Sequence, residues 1–356
     1  MSFSRRRRTI ATTRPSSREV TLTRPRFGFF FWPWSPDYTA RMVDLAERDG
    51  WDLVGIADTP GNAMDPWVAL TLAATRTRRV QLGACVTNFA TRHPAITAGA
   101  AASLAAVAGG RTMLGVGTGH SGVANLGAEK SRAVYFRDGL RFVRALLAGE
   151  RATLNGLAAQ LARPEHRVPV YAAASGPNAL RAAGAVADGA FVNYGLQGEH
   201  VARARAVLAE GAAETSRVIA ELDVWWIAAL DVADQRQAAH DKLGNILGFM
   251  AAYVLGPAPA ERGVPAELIP AIAEMRRTYT TRRAQMDPAL TKRLGLFDYL
   301  RHRLAVAGTP SDCVEQARAA IAAGARNLMF TVSLAADPVR TVELFGKEVL
   351  PAVAEG

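Results

Sequence analysis

Eight short apolar runs, each followed by a stretch of helical periodicity, constrain this chain of 356 residues more than any other feature. They lie at 26–31, 51–57, 80–86, 113–116, 168–173, 189–193, 222–230 and 327–332. Continuous apolar runs of this length suit strands covered on both faces. Strands that alternate with helices form a parallel sheet. Eight repeats favour closure into a (β/α)8 TIM barrel, an α/β fold in a single domain. The pattern is interrupted twice. Residues 150–167 read as an insertion after the fourth strand and its helix, and 231–308 as a longer, mostly helical insertion after the seventh strand. The second is too long for an ordinary connection and is a candidate lid.

The barrel is expected over 25–356, behind an Arg-rich tail at 1–24. Residues 1–26 carry eight arginines and one glutamate, a large part of the net charge of +10. That segment has no apolar periodicity and reads as a solvated, disordered tail, so nucleic-acid binding is not expected. Arg5 to Arg8 look like the start of a twin-arginine signal, but no apolar segment follows. No run of 18 apolar residues occurs, so no membrane span is expected. Two cysteines exclude a disulfide framework and suit a reducing compartment, which points to the cytoplasm. No cluster with zinc-ligand spacing occurs, and no metal site is expected.

Chemistry in such a barrel belongs at the carboxyl ends of the strands. Those ends carry Trp32 to Trp34, Asp58-Thr59, Thr87-Asn88, Gly117 to Ser121, Ala174 to Asn178, Asn193-Tyr194 and Asp231. The richest is Gly117-Thr-Gly-His-Ser-Gly122, where glycines let the backbone approach a ligand. It matches G-x-G-x-x-G but fails the context that a dinucleotide fingerprint needs. The nearby acid, Asp138, lies inside a helical stretch, and the next strand waits until Val168.

In combination, Leu82-Gly-Ala-Cys-Val-Thr-Asn-Phe-Ala-Thr-Arg-His-Pro94, Leu114-Gly-Val-Gly-Thr-Gly-His-Ser121 and Pro169-Val-Tyr-Ala-Ala-Ala-Ser-Gly-Pro177 with Ala187-Asp-Gly189 are specific. With Gly308-Thr-Pro and Ala323-Gly-Ala, they resemble the luciferase-like flavin oxidoreductase superfamily over roughly 26–353. Within it the likeness is to the branch resembling methylenetetrahydromethanopterin reductase. The resemblance implies a non-proline cis peptide at Cys85–Val86, bulging against a flavin-type ring. It implies that Thr87 and Asn88 meet the pyrimidine edge and that Gly117, Thr118, Gly119 and His120 contact the cofactor. Ala174 would also contact the cofactor, and Ser175, Gly176, Pro177 and Asn178 would meet its phosphate, using the free N–H groups of a helix start.

Asp58 and His120 are the expected catalytic pair, with Asp58 also reaching the cofactor. His120 stands where F420-dependent relatives usually carry an acid, and it can serve as a general acid near neutral pH. Thr59 replaces the histidine common in F420-dependent sugar-phosphate dehydrogenases, which disfavours that activity. Trp32 and Trp34 are expected to line an apolar substrate pocket. Trp225 and Trp226 should point to opposite faces of their strand. His93 reads as a structural residue at a helix start.

The resemblance leads first to a monooxygenase using reduced FMN and O2 on a small organic substrate, with a flavin reductase supplying the FMNH2. The alternative is a coenzyme F420-dependent reductase or dehydrogenase that transfers hydride without oxygen. A rival of another class is a non-catalytic flavin- or partner-binding barrel. A homodimer is expected, as is usual in similar proteins.

Overall fold

The computed structural model describes residues 24–162 and 164–354. The expected tail, up to residue 23, lies outside the described residues. Arg24 is described and pairs with Asp52.

The first four βα repeats are β1 (Phe27–Phe31), α1 (Pro36–Asp49), β2 (Leu53–Ile56), α2 (Pro66–Arg76), β3 (Gln81–Asn88), α3 (Pro94–Val107), β4 (Thr112–Gly117), α4 (Ser121–Asn125) and α5 (Ala133–Leu147). The first insertion is an antiparallel hairpin of β5 (Ala152–Leu154) and β6 (Leu157–Ala159). Next come β7 (Val170–Ala174), α6 (Pro177–Val186), β8 (Gly189–Val192), α7 (Gly198–Ala213) and β9 (Asp223–Val232). The second insertion holds α8 (Arg236–His240), α9 (Leu243–Phe249), a π-helical turn at Met250–Leu255, α10 (Ile269–Thr278), α11 (Leu290–Arg293) and α12 (Phe297–Leu304). The chain ends with β10 (Ala305–Gly308), α13 (Pro310–Ala322), β11 (Asn327–Thr331), α14 (Pro338–Leu344) and α15 (Leu350–Ala354).

Eight parallel strands close the barrel in the order β1-β2-β3-β4-β7-β8-β9-β11, and β11 pairs back to β1. They are the eight runs read from the sequence. β10 is an addition that extends the sheet beside the carboxyl half of β9. Helix starts follow local chemistry: Pro36, Pro66, Pro94, Pro177, Pro310 and Pro338 occupy first-turn positions, where a missing N–H costs nothing. Asp37 sits inside the first turn of α1. Ser35 is the cap, because its Oγ accepts from Tyr38 N at 3.1 Å. His93 caps α3 through Nδ1, as a structural residue should.

Two apolar clusters divide the core. One lies between the sheet and the outer helices and includes Trp226, Phe29 and Phe330. The other fills the barrel with Met113, Phe191, Trp225 and Met329, and continues into Leu247, Leu255, Met275 and Leu300 of the second insertion. The alternation of Trp225 and Trp226 therefore follows the strand period. The inserted helices share one core with the barrel interior, which fixes them over its carboxyl end.

Candidate active site

A cleft opens at that end, and among the sequence-predicted residues it gathers Asp58, Cys85, Val86, Thr87, Asn88, Gly117, Thr118, Gly119, His120, Ala174 and Ser175. Gly176, Pro177 and Asn178 are not among its lining residues; they form the adjoining start of α6. Trp32 lines the cleft, whereas Trp34 stacks on Tyr38 with ring centroids 4.7 Å apart. Trp34 lies one strand alternation beyond the mouth and packs back onto α1.

The Asp58 carboxylate is buried behind β2. Thr87 Oγ1 donates to its Oδ2 at 2.7 Å. Burial raises the Asp58 pKa above the ordinary carboxylate value, while the Thr87 hydrogen bond and the nearby Arg92 oppose the rise and Asp65 adds to it. The carboxyl is therefore easier to protonate than a surface aspartate and is still held by one defined donor.

The Cys85–Val86 peptide bond is cis. The β3–β4 register slips between Ala84 and Thr87, so the strand bulges at this point. Beyond the bulge, Asn88 Oδ1 accepts from Ala90 N, Thr91 N and Thr91 Oγ1 at 3.0, 2.9 and 3.1 Å. Three donors on the oxygen settle which way the carboxamide points, and its NH2 group is left for the cleft that Asn88 lines. Cys85 is a buried thiol whose pKa is raised by desolvation, so it is no nucleophile.

The glycine turn after β4 is built by two close approaches. Gly119 has φ +98°, and a Cβ there would come within 2.4 Å of Val123 Cγ2. A Cβ on Gly122 would meet Asp58 O at 2.8 Å, so this glycine lets the turn press on the Asp58 loop. Ahead of the helical stretch that holds Asp138, the structure adds the five-residue α4 directly after the turn. Short helices of this kind carry too few residues to show a period.

His120 stands at the head of α4 and packs edge-on against Phe249 (6.2 Å between ring centroids) and Tyr253 (5.9 Å) of the second insertion. Burial, aided by Lys130 and Arg262, lowers its pKa to about 4. The imidazole is therefore neutral at pH 7, with one donor and one acceptor nitrogen. Tyr279 completes this aromatic group and donates from Oη to Asn245 O at 3.2 Å. The neighbouring Thr281 donates from Oγ1 to Asn125 Oδ1 at 3.0 Å, and Asn62 Nδ2 donates to Thr281 O at 3.1 Å. These bonds tie the insertion to the loops after β2 and β4.

Helix α6 begins without a side-chain cap, so its first-turn N–H groups face outward unmet by any side chain. Two polar groups nearby are buried without partners: Asn193 Oδ1, at the end of β8 and lining the cleft, and the Nε and Nη1 atoms of Arg262. Sequence reasoning named Asn193 only as a strand-end residue. It missed Phe249, Tyr253, Arg262 and Tyr279 altogether, because the second insertion has neither strand alternation nor a motif to mark which residues turn inward. Among the described residues no cluster of His, Cys, Asp and Glu is arranged to hold a metal ion, and no helix is long and apolar enough to cross a membrane.

A family model described as luciferase-like monooxygenase matches residues 12–327. The chain belongs to that family. Within it, an F420-dependent glucose-6-phosphate dehydrogenase from Beutenbergia cavernae is 41% identical over 202 residues, which are 51% of this chain and 60% of that protein. The chain thus matches less than two thirds of that relative's length. A 5,10-methylenetetrahydromethanopterin reductase from Methanolobus tindarius is 29% identical over 336 residues, covering 91% of this chain and 99% of the relative. Among solved structures, the coenzyme F420-dependent tetrahydromethanopterin reductase from Methanopyrus kandleri superimposes with a TM-score of 0.76 at 24% identity, over 92% of this chain and 99% of that one. That likeness shows the luciferase-like barrel fold. The chain is accordingly an enzyme of the luciferase-like oxidoreductase family.

Proposed function

We propose that this luciferase-like enzyme is a coenzyme F420-dependent oxidoreductase that transfers hydride to or from a small, largely apolar organic substrate. The relatives' names carry this reading: the Beutenbergia cavernae protein is named F420-dependent, and the full-length match is a reductase. They support the deazaflavin alternative over the reduced-FMN oxygenase expected first.

The residues present fit a ring cofactor with a phosphate. The bulge at Cys85–Val86 forms one wall, Asn88 offers an amide NH2, and the uncapped start of α6 offers N–H donors. When bound, the deazaflavin supplies or accepts the hydride. The chain's own share is binding, orientation, exclusion of water and proton management. Asp58, aimed by Thr87, is the group placed to hold or release a proton at Oδ1. Neutral His120 donates or accepts one hydrogen bond to the substrate. Trp32, Ile246, Phe249, Met250 and Met286 make the remaining wall apolar. That wall, with Thr59 and His120 at the strand ends, suits an uncharged substrate better than a sugar phosphate.

Parallel titrations of the purified protein with coenzyme F420 and with FMN, each oxidised and reduced, test the reading. Tight binding of the deazaflavin, followed by anaerobic reduction or oxidation of its ring with candidate alcohols or ketones, is the expected result. Binding of reduced FMN alone would return the oxygenase mechanism, and binding of neither would leave only the fold.

A further inference from the structure

The two halves of the cleft differ in kind. Toward β2, β3 and β4 it carries Asp58, Thr87, Asn88 and His120. Toward β8, β9, β11 and β1 its wall is Phe191, Ile227, Phe30 and Trp32, joined by Ile246 and Met250 of the second insertion. Among the described lining residues Asp58 is the only Asp, Glu, Lys or Arg, so the second half offers no charge to a ligand. Three polar side chains nonetheless interrupt its apolar wall: Asn193, Thr331 and Ser333.

The strand order places them. Asp58 follows the second barrel strand and Asn193 the sixth; His120 follows the fourth, and Thr331 ends the eighth. In a closed ring of eight strands, each of these pairs stands across the mouth. None of the three polar groups spends its full hydrogen-bonding capacity on the fold. Asn193 Oδ1 is buried without a partner. Thr331 is 5% exposed, and its hydroxyl bonds to no protein group among the described residues. Ser333, equally buried, accepts from Trp32 N at 2.9 Å, which leaves its own proton to donate. The backbone beneath them is fixed. Asn193 N donates to Ala174 O at 3.1 Å, and Arg303 holds the carbonyl of the next residue, Tyr194. Thr331 is paired in register with Phe30. An unmet acceptor in an apolar wall costs stability, and here rigid backbone keeps it in place. What satisfies it is a ligand in the cleft.

We propose that Asn193, Thr331 and Ser333 determine specificity by binding a second oxygen of the substrate, a hydroxyl distant from the carbon that exchanges hydride. Asn193 Oδ1 supplies the acceptor, and Thr331 and Ser333 supply donors. The substrate class is then an uncharged hydroxyketone or the corresponding diol. A plain ketone or alcohol of the same skeleton is rejected, because it leaves the polar groups of the wall unpaired. The proposal rests on the reading of the cleft as a hydride-transfer site and names the class of its substrate.

The experiment compares wild type with Asn193→Leu and Thr331→Val on a matched pair, 4-hydroxycyclohexanone and cyclohexanone. One arm measures kcat/KM for each ketone with reduced coenzyme F420. The other measures the thermal shift that each gives without cofactor. Wild type should favour the hydroxyketone by about 5- to 150-fold in kcat/KM, equivalent to about 1–3 kcal/mol, the cost of leaving a buried acceptor unmet. Asn193→Leu should bring the ratio close to one, and Thr331→Val should lower it part of the way. Asn193→Leu should also melt no lower than wild type, since it removes an unpaired polar atom. A fall in its melting temperature with the ratio unchanged would make Asn193 structural and overturn the proposal. So would a wild type that treats the two ketones alike in both arms. An Asn193→Leu variant that keeps the ratio but loses affinity for coenzyme F420 would overturn it as well, because the acceptor would then serve the cofactor. If wild type oxidises reduced coenzyme F420 with neither ketone, the proposed function fails, and the thermal-shift arm decides the specificity by itself.

Discussion

Arg303 donates from Nε and Nη2 to the backbone carbonyl of Tyr194, at 3.1 and 2.9 Å, and so locks the last helix of the second insertion to the end of β8. The same guanidinium reaches Gly263 O at 3.1 Å and Tyr299 Oη at 2.6 Å. The second insertion is therefore anchored to the barrel through one buried cation whose donors are met almost entirely by backbone.

Arg303→Met removes those donors and leaves buried carbonyls unmet. Leaving a buried acceptor unsatisfied costs about 1–3 kcal/mol. A lower urea midpoint is expected. Limited proteolysis of the variant should cut first within 256–264, the turn that loses its anchor, before the barrel strands. A variant as stable and as resistant as wild type would show that the aromatic and apolar contacts of the insertion suffice.

The hydrogen bond from Thr87 to Asp58 gives a pH prediction with a definite sign. Burial raises the Asp58 pKa and the Thr87 hydroxyl lowers it. Thr87→Val deletes the lowering contribution, so the limb of the kcat/KM profile that reports Asp58 should move to higher pH. Asp58→Asn should abolish that limb and reduce kcat/KM by about 100- to 10,000-fold, the usual range for a positioned proton carrier. If Thr87→Val leaves the limb where it was, another group sets it.

His120 should be silent over the range in which histidines usually titrate. Its pKa, lowered to about 4 by burial, keeps the imidazole neutral from pH 6 to 8. His120→Gln retains a donor and an acceptor, and is expected to change the level of kcat while leaving the shape of its profile between pH 6 and 8 intact. Disappearance of a limb near pH 6.5 in this variant would mean that the ring is hydrated and protonates during turnover.

The barrel was legible because its signal is local: eight continuous apolar runs announced eight strands, and the strand period alone divided Trp225 from Trp226. Asp58, Thr87, Asn88 and the Gly117 to His120 turn were legible for the same reason, since a strand end fixes where a residue faces. Arg262 and the cluster of Phe249, Tyr253 and Tyr279 were not. Phe249 and Tyr279 line the cleft with Tyr253 and Arg262 behind them, all placed by contacts across long sequence separations, such as Arg303 to Tyr194 and Thr281 to Asn125, which no periodicity encodes. β10 escaped for a related reason. Ala305 to Gly308 is a short apolar run directly behind helical residues, inside the stretch read as an insertion, and it pairs as a strand with Ala229 to Val232.

Asp231 supplies the last prediction, one of stability. It is buried near the end of β9, accepts from Ala336 N at 2.7 Å and Thr341 Oγ1 at 3.3 Å, and has its pKa raised to about 7, chiefly by desolvation, with Asp337 and Asp241 adding to it. In the unfolded chain the same group titrates near about 3.9. Between these values the folded state binds more protons than the unfolded one, so stability falls as pH rises from about 4 to about 7 and then levels off. At pH 8 the penalty is on the order of 2–4 kcal/mol. Asp231→Asn carries no charge, and its carboxamide oxygen can still accept from Ala336 N. The variant should therefore gain little over wild type at pH 4.5 and melt several degrees higher at pH 8. Melting curves across that range decide it. A gain that is equal at both ends would place the effect in packing, and a loss at pH 8 would mean that the ionised carboxylate is what holds the β9–α14 connection together.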